Sequence, residues 1–199
     1  MLELIFEGYE SALLACSLVL LVPGAATAIA ARQESSPALA GYGVGALAIS
    51  WLRFSNRLDD LPGPLIALGF VVAVILLLVP LLRRLDLVSA AGGLAAGGAG
   101  AALWTPCVGE QFGTLLRELP TRGPDGVLLL GLYLFGVLAP LVLLGAGLHL
   151  IPASALLPAR PFVMVLGGGV LGLLALTVAA GLDDELVSRL VAWSIAPSS

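Results

Sequence analysis

The chain has 199 residues, of which 59% are hydrophobic and only 11% are charged, against about 25% charged residues in an ordinary soluble domain. So few charges leave too little polar surface to cover a water-soluble globule, and the composition therefore predicts a membrane protein. The net charge of −4 and the absence of lysine exclude the basic patch that nucleic-acid binding requires. Two cysteines without neighbouring histidines do not make a zinc site, and no bound cofactor is expected.

A membrane-spanning helix needs about 20 mostly apolar residues, and six runs of the chain qualify, although the second is short and continues towards Phe54 only by including Arg53. The polar segments between the runs are too short for a soluble domain, so the sequence predicts a single polytopic membrane domain over 1–199. The segment 183–199 is expected to form a short interfacial tail after the last run. The six runs are Ser11–Ala31, Pro37–Trp51, Leu61–Leu82, Val88–Gly109, Gly126–Ile151 and Pro161–Leu182.

The chain divides into two halves, about 1–86 and 87–182, each with three runs and with one cysteine in its first run. An odd number of spans per half gives the halves opposite orientations, as in inverted-repeat membrane proteins. The expected fold class is therefore an all-α integral membrane protein, with six transmembrane helices in a 3+3 inverted repeat. Because the first spans of the two halves run in opposite directions, Cys16 and Cys107 are expected on the same side of the bilayer.

Rows of small residues repeat every four positions in two of the runs. The fourth run has such a row at Gly93, Gly97 and Ala101, and the second run has one at Gly41 and Gly45. Rows of this kind let helix backbones approach closely. They are common in polytopic proteins, and they also favour a fourth helix that packs at the centre of the bundle.

The string Trp-Thr-Pro-Cys-Val-Gly at 104–109 resembles the transmembrane thiol–disulfide carriers of the CcdA/DsbD family. The six-span length, the early Cys16 and the following Pro23 are also similar to that family. The resemblance implies that Cys16 and Cys107 form one redox-active pair, with Pro106 as the helix-breaking neighbour of the second cysteine. It also implies electron transfer from cytoplasmic thioredoxin to thioredoxin-like proteins outside, as in cytochrome c maturation, across a bacterial cytoplasmic (inner) membrane.

The sequence gives less specific interpretations for three further polar residues. Glu110 follows Cys107 by three residues, where the family commonly has a proline, and would share its helix face if the helix continued. It is interpreted either as an interfacial carboxylate at the end of the span or as an acceptor for the thiol proton. His149 is expected at the membrane interface, and Arg53 is expected to extend its head group to that interface.

Other functions remain open from the residues alone. Free cysteine is among the most buried residue types, so two inert thiols are one alternative to a redox pair. A six-span exporter of a small solute or a metal is a second hypothesis, and the scarcity of intramembrane polar groups weighs against it. A non-catalytic subunit of a larger membrane complex is a third.

Overall fold

The computed structural model describes residues 5–6, 9–10, 17–31, 35–55, 57–58, 61–78, 86–104, 114–115, 117–118, 124–150, 160–182, 185 and 188–189. This part of the chain consists of helices with turns and short connections, and it contains no strand. Its six long helices occur where the sequence predicts them, which confirms the all-α fold. They are α1 (Leu18–Ala31), α2 (Ser35–Phe54), α3 (Gly63–Leu78), α4 (Asp86–Leu103), α5 (Pro124–Leu150) and α6 (Arg160–Ala179).

Two of these helices are long and apolar enough to cross a membrane, judged by length and composition. They are α4 and the Asp125–Gly147 part of α5. Shorter apolar helices occupy Leu18–Ala31, Gly63–Leu78 and Val165–Ala179. Residues 11–16 and 79–82, which complete the predicted first and third spans, lie outside the described residues.

The most extensive helix contact in the described bundle joins α2 to α4. Glycines on both helices make this contact possible. A Cβ added at Gly41 or Gly45 would collide with carbonyl groups of α4, and one added at Gly93 or Gly97 would collide with carbonyl groups of α2. The small-residue rows in these two runs are therefore the surfaces through which the two backbones approach each other.

The residues that face each other also give the relative directions of the helices. Gly41 faces Ala90 and Gly45 faces Leu94, so α2 and α4 run parallel. By the same reasoning α3 runs antiparallel to α4, α5 antiparallel to α2, and α6 antiparallel to α3. The facing pairs are Gly69–Ala99 and Gly92–Leu77, Gly43–Leu138 and Gly131–Leu47, and Gly63–Val178 and Gly168–Leu78.

The first two helices form an antiparallel pair. Three residues, 32–34, separate α1 from α2, and Gly24 of α1 lies against the Tyr42 ring of α2. Together with the other pairs, this contact means that consecutive helices alternate in direction along the whole described bundle.

The fourth helix is central, as its small residues predict. It packs against α1, α2 and α3, while α5 packs on α2 and α1, and α6 packs on α3 and α1. Gly92 of α4 faces Leu77 of α3, and Gly100 faces Pro23 of α1. Small residues of α4 therefore allow close packing on three sides, against α1, α2 and α3.

The last helix ends at a left-handed glycine. Gly181 has a φ of 68°, a conformation that costs glycine little because it has no Cβ. Its N–H donates to the Val178 carbonyl, and the Leu182 N–H donates to the Thr177 carbonyl, each at 3.0 Å. This pair of bonds is the Schellman arrangement that commonly stops a helix.

The α2–α4 contact can be tested with two matched glycine substitutions. We expect Gly97→Ala to lower the unfolding free energy by about 1–3 kcal/mol, because the new methyl group meets backbone that has little freedom to move. Gly169→Ala on α6 has no atom within 4 Å of its added Cβ, and there we expect no loss or a gain of up to about 1 kcal/mol. Thermal unfolding in detergent measures both, and equal effects would contradict the assignment.

Candidate functional site

The structure describes one of the five site residues that the sequence analysis singles out. Pro23 lies within α1 and is buried. Cys16, Pro106, Cys107 and Glu110 lie outside the described residues, so the pairing of the two cysteines stays a prediction. The site is accordingly built from the described residues that lead up to these positions.

The described chain approaches both cysteines from the same end of the bundle. Pro23 and Leu20 of α1 lie 3.3 and 3.6 Å from the place where a Cβ of Gly100 on α4 would be. Since α1 is antiparallel to α2 and α2 is parallel to α4, α1 and α4 run in opposite directions. Going back from this contact to Ser17 and forward from it to Trp104 therefore leads to one end of the bundle. Both Ser17 and Trp104 are fully buried there.

A proline interrupts the hydrogen bonding of α1 just above this end. Pro23 has no N–H to offer the Val19 carbonyl, four residues earlier. Two other carbonyls near Pro23 accept hydrogen bonds from side chains. The Tyr42 hydroxyl donates to the Leu20 carbonyl, and the Thr27 hydroxyl donates to the Pro23 carbonyl at 2.7 Å. Because Tyr42 belongs to α2, its bond ties the interrupted part of α1 to the neighbouring helix.

The second interruption ends α4. The sequence predicts that the fourth span continues to Gly109, whereas α4 ends at Leu103, and residues 105–109 lie outside the described residues. The physical reason is the proline ahead. Pro106 has no N–H for the Ala102 carbonyl, and a proline also disfavours helical geometry in the residue before it. Trp104, the first residue after α4, is not helical.

Arg53, in the last turn of α2, caps the end of α4. Its Nη1 atom lies 2.7 Å from the Ala102 carbonyl oxygen, 3.1 Å from that of Ala101 and 3.2 Å from that of Trp104. The shortest of these distances is to the Ala102 carbonyl, to which Pro106 cannot donate a hydrogen bond. A cation at the carbonyl end of a helix also interacts favourably with the helix dipole. The guanidinium thus binds the carbonyl end of α4, and its expected place at the membrane interface stays a prediction.

Trp104, the first residue of the motif, is wedged between two other helices. Its ring packs edge-on against Phe54 of α2, with centroids 6.2 Å apart, and stacks on Tyr133 of α5 at 6.3 Å. Its indole N–H has no hydrogen-bond partner in the described part of the chain, although buried indoles usually have one. Apolar packing, together with the Arg53 bond to its carbonyl, therefore holds this residue in place.

The sequence did not identify two of these residues as parts of the site. Tyr42 and Arg53 both lie on α2, far in sequence from either cysteine. The available signal was a tyrosine and an arginine inside an apolar run, since buried polar groups need partners. Among the described residues, no group of three or more His, Cys, Asp or Glu side chains is placed to hold a metal ion.

Comparisons of this chain with family models, with characterised proteins and with solved structures find no match. The resemblance to the thiol–disulfide carriers therefore depends on the string at 104–109 and on the layout of the helices.

The bond between Tyr42 and the interrupted part of α1 can be tested with a phenylalanine. We expect Tyr42→Phe to lower the unfolding free energy by about 1 kcal/mol, because the Leu20 carbonyl loses a donor where water has no access. Tyr9→Phe removes a hydroxyl from an exposed ring and should leave stability unchanged. Thermal unfolding of both variants in the same detergent provides the measurement, and a Tyr42→Phe variant as stable as the parent would show that the bond contributes nothing.

Proposed function

We propose that this chain is a membrane thiol–disulfide oxidoreductase that relays reducing equivalents through a Cys16–Cys107 pair. Its partners are cytoplasmic thioredoxin on one side and thioredoxin-like proteins on the other, as in cytochrome c maturation. The observation that carries the proposal is that Ser17 and Trp104, both buried, lie at the same end of the bundle. These residues are the described neighbours of the two cysteines in sequence, and their common end supports a pair whose Cα atoms approach to about 6 Å.

The proposed location is a bilayer, in a bacterial cytoplasmic (inner) membrane. The location is supported by helices that are apolar on both their buried and their exposed faces, the pattern of a span in contact with lipid. On α3 the buried and exposed sides alternate along a helix without a single charged residue. Its buried side chains are Ile66, Ala67, Phe70, Ala73 and Leu77, and its exposed ones include Leu65, Leu68, Val71 and Ile75.

The 3+3 inverted repeat is part of the same proposal. In such a repeat α1 corresponds to α4, α2 to α5 and α3 to α6. The α2–α4 contact then corresponds to the α5–α1 contact, and the α3–α4 contact corresponds to the α6–α1 contact. All four contacts are present, as are the contacts between corresponding helices, α1–α4, α2–α5 and α3–α6. Contacts of α1 with α2 and α3 lie outside this pattern. The opposite directions of corresponding helices also support the relationship.

The proposed reaction is thiol–disulfide exchange. A thiolate of reduced thioredoxin attacks one sulfur of the Cys16–Cys107 disulfide, and a mixed disulfide forms. The second donor thiol then releases the pair as two thiols, so that two electrons and two protons move from the donor to the carrier. The carrier reduces its outward partner by the same exchange in reverse. Glu110 would accept the proton of Cys107 in this scheme.

Two prolines would give partners access to the pair. Pro23 and Pro106 each remove one backbone donor close to a cysteine in sequence. Backbone that departs from regular helix at membrane depth is tolerated where it is buried in protein or lines a water-filled cavity. An opening of this kind would let a soluble partner reach a thiol inside the bundle.

Alkylation of the two thiols tests the reaction directly. We expect the purified full-length chain to resist thiol alkylation until a reductant is added, and then to take up two labels. Cys16→Ser and Cys107→Ser should each take up one label without reductant, because neither retains a partner for its remaining thiol. Reduced thioredoxin should replace the chemical reductant in the wild-type chain. If no reversible disulfide between Cys16 and Cys107 forms under any oxidising condition, the proposed function is wrong.

Membrane insertion has its own test. We expect the chain expressed in a bacterial host to stay in the membrane pellet after alkaline carbonate extraction, because its exposed apolar side chains require lipid or detergent. A peripheral membrane protein expressed in the same cells is the control that should be released. Release of this chain into the supernatant as a folded protein would contradict the membrane assignment.

A further inference from the structure

The cap on α4 does more than close a helix, because the capped helix leads directly to the second cysteine. Arg53 belongs to α2 and is absent from the motif at 104–109. It nevertheless contacts the first residue of that motif through the Trp104 carbonyl. The register of α2 against α4 explains why Arg53 lies at this position.

The parallel packing of α2 on α4 sets the position of this guanidinium. Gly45 of α2 faces Leu94 of α4, and advancing both helices by the same number of residues leads to Arg53 and Ala102. The Ala102 carbonyl is the group whose helical donor would have been Pro106. A buried carbonyl without a donor is costly. The register thus brings an arginine to the backbone group that the motif proline leaves unpaired.

We propose that Arg53 is a positioning residue for Cys107, because its cap on α4 fixes the point from which the chain departs toward that cysteine. This inference rests on the proposed function, in which Cys107 must meet Cys16. Arg53 acts through the backbone of α4 and Trp104, and the proposal requires no contact between its guanidinium and either sulfur.

The short distance along the chain makes this fixed point effective. Cys107 is three positions beyond Trp104 in the chain, and these three steps span at most about 10 Å when fully extended. A disulfide requires its two Cα atoms to lie about 5.5–6 Å apart. A displacement of the end of α4 by a few ångströms would therefore change how readily the two thiols meet. The Trp104 ring, held between Phe54 and Tyr133, resists sideways movement of the same point.

The experiment measures the equilibrium constant for forming the Cys16–Cys107 disulfide in glutathione buffers, with the full-length chain in detergent. We expect Arg53→Met to lower this constant about tenfold, the ratio that corresponds to one lost hydrogen bond. Arg53→Lys keeps a cation and three donors, and should recover most of the loss. Should Arg53→Met fail to fold, Arg53→Gln, which keeps a neutral donor, is measured instead, with an expected value between those of wild type and the tenfold loss.

Arg57→Met is the matched control. Arg57 lies just beyond the same end of α2, is exposed, and has its guanidinium 6.0 Å from the centroid of the Trp51 ring. This substitution removes an equal charge and a similar side chain without touching the end of α4. We expect an unchanged disulfide constant. Thermal unfolding of the reduced proteins, measured in parallel, separates a general loss of stability from a change in the thiol pair.

The outcomes distinguish this inference from the function on which it rests. If wild type forms the disulfide and Arg53→Met lowers stability but leaves the constant unchanged, Arg53 is purely structural and the inference is wrong. If wild type forms no disulfide, the proposed function fails. The inference is then tested in Cys16→Ser by the rate at which maleimide labels Cys107. A tenfold change in that rate in Arg53→Met, restored by Arg53→Lys, supports positioning, and an unchanged rate overturns it.

Discussion

Four glycines, two on α2 and two on α4, allow the backbones of these helices to touch, and most of the bundle is arranged around that contact. A Cβ at any of the four positions would collide with a carbonyl group of the other helix. The facing residues show that the two helices run parallel, and the close approach fixes their register. Because α4 also packs on α1 and α3, and α5 packs on α2, the same contact determines how the remaining helices are placed.

The register of α2 has a consequence for the polar groups of the interior. Tyr42 and Arg53 are eleven residues apart, which is close to three helical turns, so both lie on nearly the same face of α2. Each donates to a backbone carbonyl near a proline-interrupted helix, Tyr42 to Leu20 in α1 and Arg53 to Ala102 in α4. One face of α2 therefore satisfies backbone groups beside both Pro23 and Pro106.

This arrangement links the two halves of the candidate site. Pro106 leaves the Ala102 carbonyl without a helical donor, and an apolar interior offers no water to replace it. Arg53 supplies that donor, while Tyr42 donates to the Leu20 carbonyl of α1, so α2 is bound to both α1 and α4. The ends of α1 and α4 that lead to the cysteines thus share one support. In the proposed function, such a frame would return the two thiols to the same geometry after each exchange with a partner.

The sequence by itself determined the number, approximate limits and apolar character of the helices, because hydropathy over about 20 residues is a local property. It also identified the small-residue rows of α2 and α4, since a four-residue period defines one face of a helix. The string at 104–109 singled out Cys107, and the remote Cys16 was linked to it by the family resemblance and by its corresponding place in the first half of the chain. No local pattern could supply the partners of Tyr42 and Arg53, because those partners belong to other helices.

Only the tertiary structure decided where α4 ends and what caps it. The hydropathy of the fourth run continues to Gly109, and the sequence analysis placed the end of the span there. The missing N–H of Pro106 ends the helix earlier, and the free Ala102 carbonyl is then met by Arg53. From the sequence alone, an arginine in an apolar run is expected to extend its head group to water. The parallel packing of α2 and α4 brings it level with three backbone oxygens, to which its guanidinium donates.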